Sequence, residues 1–291
     1  MEGPRAGEDR RIVTDAATFT SGKGHRDENF PVASWLVRRE LRAPILAFYR
    51  FARAADDVAD HEDASAEQKL EQLARMEAAL RGQGGNAQGA ALHAVLRTHG
   101  LTDRHALDLL EAFRRDVTKQ RYADWAELMD YCRYSAAPVG RFVLDLHGES
   151  TTLWPANDAL CTALQVINHL QDCGKDHRAL DRVYIPLNAL ADHGATIADL
   201  SATRASPELR RTLEDIAGRT ADLLERSRGF APAIADHRLA LEVGAIQALA
   251  EDLTGRLARR DPLSQRVHHH PMEAAGVSLR GAFKVAIGWL G

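Results

Sequence analysis

Apolar side chains recur at helical spacing along almost the whole 291-residue chain. Between residues 237 and 259, for example, Leu239, Ile246, Leu249 and Leu253 are separated by three, four or seven positions, which places them on one face of a helix. Signals for strands are scarce. The sequence therefore predicts an all-α protein, a helical bundle in one domain. The clearest helices are predicted at 42–60, 66–81, 103–120, 206–229 and 237–259.

A polar stripe runs along the helix predicted over 165–176. Gln165, Asn168, Asp172 and Asp176 lie at offsets of 0, 3, 7 and 11, which fall on one side of a helix with 3.6 residues per turn. Such a stripe is usually a solvated helix face, and for this segment alone we favour that interpretation. A second acidic pair far upstream favours a metal-binding site over a solvated face.

That second pair is Asp56 and Asp60, at the end of an earlier predicted helix. Their spacing of four puts the Cβ atoms about 5–6 Å apart on one face, and Asp172 and Asp176 repeat it. If the two helices face each other, four carboxylates share one small volume. Two like charges ~4 Å apart repel by about 4 kcal/mol at an effective dielectric of ~20. The pattern predicts a Mg²⁺–diphosphate site, in which Asn168 and the four aspartates bind the metal and leave positions for phosphate oxygens.

Three motifs, in this order along the chain, resemble the squalene/phytoene synthase family. They are Asp-x-x-x-Asp early, Tyr-Cys-x-x-x-Ala-x-x-Val-Gly in the middle and Gln-x-x-Asn-x-x-x-Asp-x-x-x-Asp late. The resemblance covers roughly residues 25–265, and the motifs are specific together although each alone is weak. It implies an isoprenoid-synthase fold, in which two aspartate-rich helices face each other across a deep apolar cavity. It also implies an isoprenoid diphosphate as the substrate.

The resemblance also implies roles for single residues. Tyr131 is expected near the reacting carbons, and Arg53 is expected to clamp the diphosphate, with a salt bridge to a nearby aspartate as the alternative. Gln165 and Asn168 are expected to contact the substrate. Asn29 stands where the family has a serine or threonine that helps to hold diphosphate, and a helix N-cap is the alternative for this residue.

Other features leave alternatives open. Asp116 lies in a charged run that is typical of a solvated face, whereas the resemblance places it at the mouth of the cavity. Among Lys175, Arg178 and Arg182, one cation is expected to neutralise diphosphate, but the sequence does not identify it. Pro138 is expected to kink the helix after Tyr131, because proline has no backbone N–H.

The family contains several reactions, and two features favour the hydration of presqualene diphosphate to hydroxysqualene. Gln171 precedes Asp172 where coupling members usually carry arginine, and a neutral Gln171 could orient a water molecule. Residues 28–34 and 131–141 resemble the bacterial branch that forms hydroxysqualene for hopanoid synthesis. The alternatives are head-to-head coupling of two farnesyl diphosphates and a non-catalytic helical assembly protein. The four retained aspartates disfavour the last.

Charge balance and cysteine content argue against other classes of function. The 37 basic and 41 acidic residues give a net charge of −4, which disfavours nucleic acid as a partner because phosphate-backbone binding needs a basic surface. Three cysteines without Cys-x-x-Cys spacing argue against a disulfide framework or a structural zinc site. No apolar run approaches the ~20 residues that span a bilayer. A cytoplasmic protein is expected, and its oligomeric state stays open.

The two ends of the chain are expected to lie outside a catalytic domain over 25–265. Residues 1–24 are polar, lack the apolar core of a signal peptide and are expected to be disordered. Residues 266–291 are expected to form a tail, with exposed histidines at 268–270 and a short amphipathic helix over 274–291. Docking of that helix on the body is favoured over a peripheral contact with the inner membrane surface.

Overall fold

The computed structural model describes residues 36–288. It is 76% helical and contains no strand in this range, so the predicted all-α, single-domain fold is confirmed. Asn29 and residues 1–24 lie outside the described range, and the domain boundaries stay predictions. The α-helices of the described range are α1 (Arg39–Asp60), α2 (Ala66–Leu80), α3 (Ala87–His99), α4 (Arg104–Thr118), α5 (Trp125–Ser135), α6 (Ala137–His147), α7 (Trp154–Leu180), α8 (Leu187–Asp192), α9 (Pro207–Ser227), α10 (Phe230–Ala233), α11 (His237–Leu257) and α12 (Pro271–Gly288).

Local sequence signals explain several helix ends. At the start of α2, the backbone N–H of Gln68 donates to the Ser65 hydroxyl at 3.2 Å and the N–H of Ser65 donates to the Gln68 side chain at 2.9 Å. This reciprocal pair is a capping box. The kink expected at Pro138 is a complete break, because α5 ends at Ser135 and α6 begins at Ala137. Proline tolerates the first turn of a new helix but cannot donate within an existing one.

Two apolar cores hold the two acidic helices. The smaller core contains Phe48 and Phe51 of α1 and Phe142 of α6, and the rings of Phe48 and Phe142 stack with centroids 4.0 Å apart. The larger core joins α5, α7, α9 and α11. Gly140 lets α6 approach α7, since a Cβ at this position would lie 1.9 Å from Asn157 Oδ1. The glycine of the middle motif therefore serves helix packing.

The segment after α7 crosses to the connection between α4 and α5. The backbone N–H of Val183 donates to the carbonyl of Gln120 at 2.9 Å, and that of Leu187 donates to the carbonyl of Tyr122 at 2.9 Å. An isolated parallel bridge pairs Arg121 with Val183. These bonds fix the positions of Arg182 and Tyr184, and both residues contribute to the site described below.

The last described helix, α12, packs on α11 at a pair of glycines. A Cβ on Gly281 would lie 2.3 Å from the carbonyl oxygen of Gly244, so the two helices can be this close only with glycine. The helix expected near the C-terminus therefore docks on the body. Its outer side leaves Leu279 71% and Phe283 66% exposed. None of the described helices is long and apolar enough to cross a membrane.

Candidate active site

One cavity brings together residues from all three motifs, with Tyr131 from the middle one. It has a volume of about 570 Å³ and lies between α1, α4, α5 and α7. Both aspartate pairs line it, and we name them the α1 pair (Asp56 and Asp60) and the α7 pair (Asp172 and Asp176). The two acidic helices therefore face each other. The described lining residues are Tyr49, Arg53, Asp56, Asp60, Phe113, Asp116, Tyr131, Ser135, Gln165, Asn168, His169, Asp172, Lys175, Asp176, Leu180, Arg182, Tyr184 and His268.

This lining is more polar than the deep apolar cavity that the resemblance implies. Apart from the tyrosines, Phe113 and Leu180 are the apolar side chains in its described part. The other lining residues carry charge or hydrogen-bonding groups. Such a lining suits a diphosphate better than a hydrocarbon chain.

Arginines neutralise the α1 pair. Arg53 forms ion pairs of 2.8 Å with Asp56 and with the neighbouring Asp57. Arg182 forms one of 2.5 Å with Asp60 and also donates to a backbone carbonyl of α1 at 3.0 Å. The side chain of Arg182 is only 8% exposed. The salt bridge expected as one alternative for Arg53 is therefore present, and its role toward diphosphate stays a prediction.

The α7 pair has no such partner. Neither Asp172 nor Asp176 forms an ion pair or a side-chain hydrogen bond with another described residue. Burial and the charge of Asp172 raise the pKa of Asp176 to about 7, and Lys175 acts in the opposite direction. Of the cations that follow the stripe, Lys175 and Arg182 line the cavity, whereas Arg178 donates to the carbonyl of Leu200 at 3.4 Å. Among the described residues, the α7 pair therefore faces the cavity without an ion pair, and the charges of Lys175 and Arg182 offset its own only partly.

Asp116 is buried and lines the same cavity. The hydroxyl of Tyr131 donates to its Oδ2 at 2.9 Å, and that of Tyr184 donates to its Oδ1 at 2.8 Å. Burial raises the pKa of Asp116 to about 6, while nearby Arg182 and the two hydroxyls hold it from rising further. The cavity position implied by the resemblance is confirmed, and the solvated face is wrong.

Four rings form an aromatic cluster (Tyr122, Tyr131, His169 and Tyr184) beside Asp116. The imidazole of His169 stacks on the ring of Tyr184 with centroids 3.6 Å apart and planes 14° apart. The ring of Tyr131 lies 5.2 Å from that of Tyr122, 5.5 Å from that of Tyr184 and 6.0 Å from that of His169. Burial and Arg182 lower the pKa of His169 to about 3. The cluster is thus a set of uncharged rings at the wall of a charged cavity.

Comparison with known proteins decides the family. The family model described as squalene/phytoene synthase matches residues 24–273. The chain belongs to the squalene/phytoene synthase family. A hydroxysqualene synthase from Zymomonas mobilis is 56% identical over 271 residues, which cover 92% of this chain and 91% of that protein. One from Rhodopseudomonas palustris is 55% identical and covers 90% of each chain.

Two solved structures share the fold of this squalene/phytoene synthase family member. A squalene synthase from Alicyclobacillus acidocaldarius is 35% identical with a TM-score of 0.70, over 78% of this chain and 87% of that one. A dehydrosqualene synthase in complex with a ligand has a TM-score of 0.76 over 88% of this chain and 90% of that one. At 20% identity, the second likeness concerns the fold alone.

Gln171 does not reach the cavity, in contrast to the expectation. It is 6% exposed and absent from the described lining, although Gln165 and Asn168 of the same helix are present. Its side chain is buried in α7 next to Asp172, outside the described lining. The geometry does not support a contact between Gln171 and substrate or water in this cavity.

The histidines at 268–270 were expected to be exposed, and this is wrong for the first two. His268 lines the cavity. The Nε2 of His269 lies 2.8 Å from a carboxylate oxygen of Asp252, and only 6% of this side chain is exposed. The segment before α12 therefore packs against the body.

His169 and Tyr184 are lining residues that the sequence analysis missed. His169 is separated from Gln165 by four residues, or about 40° around the helix, so the period that predicted the stripe also contained it. Tyr184 carries no comparable signal, because the bonds of Val183 and Leu187 to a distant segment determine its place. Periodicity could have found the first residue but not the second.

The donor set fits a hard divalent cation. The cavity offers carboxylate oxygens from both pairs and the side-chain amide of Asn168, and a cation would relieve the repulsion that raises the pKa of Asp176. Within residues 36–288, no three His, Cys, Asp or Glu side chains lie close enough to hold an ion by themselves. Mg²⁺ sites commonly use one or two carboxylates and take their other ligands from water and phosphate. Isoprenoid synthases generally depend on a metal.

Proposed function

We propose that this member of the squalene/phytoene synthase family converts presqualene diphosphate and water into hydroxysqualene and diphosphate. The reaction makes it a carbon–oxygen lyase acting on a diphosphate. Relatives named hydroxysqualene synthase that are 51–56% identical over 88–92% of the chain support this proposal. The observation that carries it is one cavity that joins an aspartate–arginine side to a buried aromatic cluster.

The charged side suits the departure of diphosphate. Arg53, Lys175 and Arg182 line the cavity, where their charges can stabilise the negative charge that collects on the leaving group. Mg²⁺, held by the α1 pair, the α7 pair and Asn168, would add positive charge at the same place when bound. Arg53 and Arg182 are shared between carboxylates and diphosphate in this proposal, so they stay oriented before the substrate arrives.

The aromatic side suits the carbocation that remains. The ring faces of Tyr131 and Tyr184 can stabilise a cation through their π-electrons. Both hydroxyls donate to Asp116, which fixes the rings and places a carboxylate behind them. The substrate would lie with its diphosphate toward α1 and α7 and its reacting carbons toward the cluster.

Product analysis tests the proposal. Purified protein with Mg²⁺ and presqualene diphosphate, in the absence of NADPH, should release diphosphate and a C30 alcohol. Farnesyl diphosphate alone should give no C30 product, and added NADPH should leave the product unchanged. Recovery of unreacted presqualene diphosphate, or a C30 product from farnesyl diphosphate, would reject hydration as the main reaction.

We also propose that the protein is cytoplasmic and touches an anionic membrane surface through the outer face of α12. Met272, Leu279 and Phe283 are 86%, 71% and 66% exposed on this face. Arg280 and Lys284 lie beside them and suit anionic headgroups, although the chain as a whole has a net charge of −4. Contact with lipid would also shorten the path of a C30 substrate to the enzyme.

Sedimentation with vesicles that contain phosphatidylglycerol tests this contact. Phe283→Glu should weaken binding by about tenfold, because it removes an exposed aromatic side chain that would be buried in the lipid and adds a charge that anionic headgroups repel. Val139→Glu is the matched control, since Val139 is 43% exposed but lies on α6. Equal binding of wild type and Phe283→Glu would exclude α12 as the contact.

A further inference from the structure

Hydration requires a water molecule at the carbocation, and the residues assigned so far do not hold one. The arginines and Lys175 serve the diphosphate, and the protons of the two tyrosine hydroxyls are donated to Asp116. Gln171 is absent from the described lining of the cavity. The inference that follows rests on the proposed function, because it concerns how the cation is captured.

Two side chains of α7 form a polar pair against the aromatic cluster. The side-chain nitrogen Nε2 of Gln165 lies 3.2 Å from Nε2 of His169, one helical turn later. Both residues line the cavity, and the imidazole stacks on Tyr184 and lies 6.0 Å from the ring of Tyr131. The pair is therefore adjacent to the rings that would stabilise the cation.

The same pair is close to the leaving group. His169 precedes Asp172 by three residues on one helix, which corresponds to about 4.5 Å along its axis. A water molecule held at His169 would thus lie between the aromatic cluster and the aspartates. Diphosphate released at the α7 pair would be within about one turn of that water.

In both orientations of the Gln165 amide, the pair of Gln165 and His169 keeps one hydrogen-bond acceptor. If the amide NH₂ of Gln165 donates to the imidazole, the amide oxygen of Gln165 remains. If the amide is turned and its oxygen accepts from the imidazole N–H, the second ring nitrogen of His169 remains. In either orientation one acceptor is available to a water that must donate a hydrogen bond while its lone pair faces the cation.

We propose that Gln165 and His169 hold the water molecule that captures the carbocation. The water oxygen forms the new C–O bond at the cationic carbon that becomes the alcohol, and its second proton passes to the diphosphate released in the same cavity. The C–O bond to diphosphate has already broken, so no oxidant or reductant is needed. Both residues are catalytic in this scheme because they contact the reacting water.

His169→Phe tests the proposal, since it keeps the ring stacked on Tyr184 and removes both nitrogens. Diphosphate release from presqualene diphosphate should continue, because ionisation depends on other residues. The ratio of C30 alcohol to released diphosphate should fall by about tenfold, the scale of one lost hydrogen bond to the reacting water. C30 hydrocarbons formed by proton loss from the cation should make up the difference.

Three further variants give the result its controls. His93→Phe makes the same change at a half-buried histidine of α3, outside the cavity lining, and should leave the ratio unchanged. Gln165→Leu should lower the ratio as His169→Phe does. His169→Gln returns a donor and an acceptor and should recover part of the alcohol.

The outcomes separate this inference from the proposed function. A wild-type protein that forms no alcohol would reject the proposed function. If the wild type forms alcohol and His169→Phe gives the same ratio, the water is held elsewhere and the inference is overturned. Loss of diphosphate release in a His169→Phe protein that still melts cooperatively would also overturn it, because His169 would then act in ionisation.

Discussion

The α1 pair and the α7 pair have the same spacing in the sequence but opposite electrostatic surroundings. The α1 pair is held by Arg53 and Arg182 at 2.8 and 2.5 Å. The α7 pair has no ion pair among the described residues, and burial together with repulsion from Asp172 raises the pKa of Asp176 to about 7. The α1 pair is therefore neutralised in advance, whereas the α7 pair keeps most of its charge within the described part of the chain.

The difference suggests that the two pairs have different roles in binding: the α1 pair orients arginines toward diphosphate, and the α7 pair binds a metal cation. Carboxylates already paired with arginine keep those cations oriented toward the cavity, which reduces the reorganisation needed when diphosphate arrives. An unneutralised pair gains more from a bound cation, because binding removes a repulsion that the folded chain otherwise bears. Equal spacing of aspartates thus serves two electrostatic purposes, and the predictions below separate them.

The largest expected effect is on turnover, and it should be shared by both pairs. Asp176→Asn and Asp60→Asn should each lower kcat by on the order of 10³-fold or more, since each removes a charge that organises the diphosphate end of the cavity. The measurement is diphosphate release at saturating Mg²⁺ and presqualene diphosphate. Asp192→Asn, at an exposed aspartate of α8, is the control and should retain wild-type turnover. A large effect at only one pair would mean that the other is structural.

A smaller effect, on stability, should have opposite signs at the two pairs. In metal-free buffer at pH 8, Asp176→Asn should raise the Tm by a few degrees, because it removes a repelled carboxylate; roughly 1 kcal/mol shifts the Tm of a large domain by about 2–4 °C. Asp60→Asn should lower the Tm by a similar amount, because it leaves Arg182, 8% exposed, without its carboxylate. Two shifts of the same sign would contradict the comparison.

The pH dependence gives this prediction a second readout. The folded-state pKa of Asp176 lies above its unfolded value, so this group binds more protons in the folded state and its contribution to stability falls as the pH rises from about 4 to about 7. Asp176→Asn should make that part of the profile flatter. Thermal melts at pH 4.5, 6 and 8 measure it, and an unchanged slope would show that Asp176 is not the group responsible.

The comparison also shows which parts of the site the sequence could predict. Spacing of four placed each aspartate pair on one face, and the period of the stripe placed Gln165 and Asn168 in the same cavity. These inferences succeed because a helix relates residues within a few turns by fixed angles. The same angles do not decide the place of Gln171, since Lys175 is also next to an aspartate of the stripe and lines the cavity, whereas Gln171 does not.

What the sequence could not predict depends on contacts between distant segments. Arg182 reaches Asp60 across 122 positions, and Tyr184 reaches Asp116 across 68. No local pattern distinguishes Arg182, which reaches the α1 pair, from Arg178, which binds a backbone carbonyl. His268 likewise enters the cavity because the chain before α12 packs on the body. The neutralisation of the α1 pair, and not of the α7 pair, therefore depends on tertiary contacts.

The smallest expected effect concerns Lys175, the exposed cation that lies beside the α7 pair. Its charge holds the pKa of Asp176 below the value that burial and Asp172 alone would produce. Lys175→Gln should therefore raise that pKa further and lower the Tm at pH 8 by on the order of 1 °C, since an exposed charge contributes little. At pH 5 Asp176 is protonated in the folded protein, so the substitution should have no measurable effect there.

Arg53→Gln at the α1 pair is the matched comparison for Lys175→Gln. Arg53 forms two ion pairs of 2.8 Å and is 19% exposed, so its loss should lower the Tm more than the loss of Lys175 does. The measurement is a melt of each variant in metal-free buffer at pH 5 and pH 8. If Lys175→Gln lowers the Tm equally at both pH values, Lys175 acts through packing rather than charge. In that case the carboxylates of the α7 pair would repel each other less than the raised pKa of Asp176 implies. The electrostatic difference between the α1 pair and the α7 pair would then be smaller.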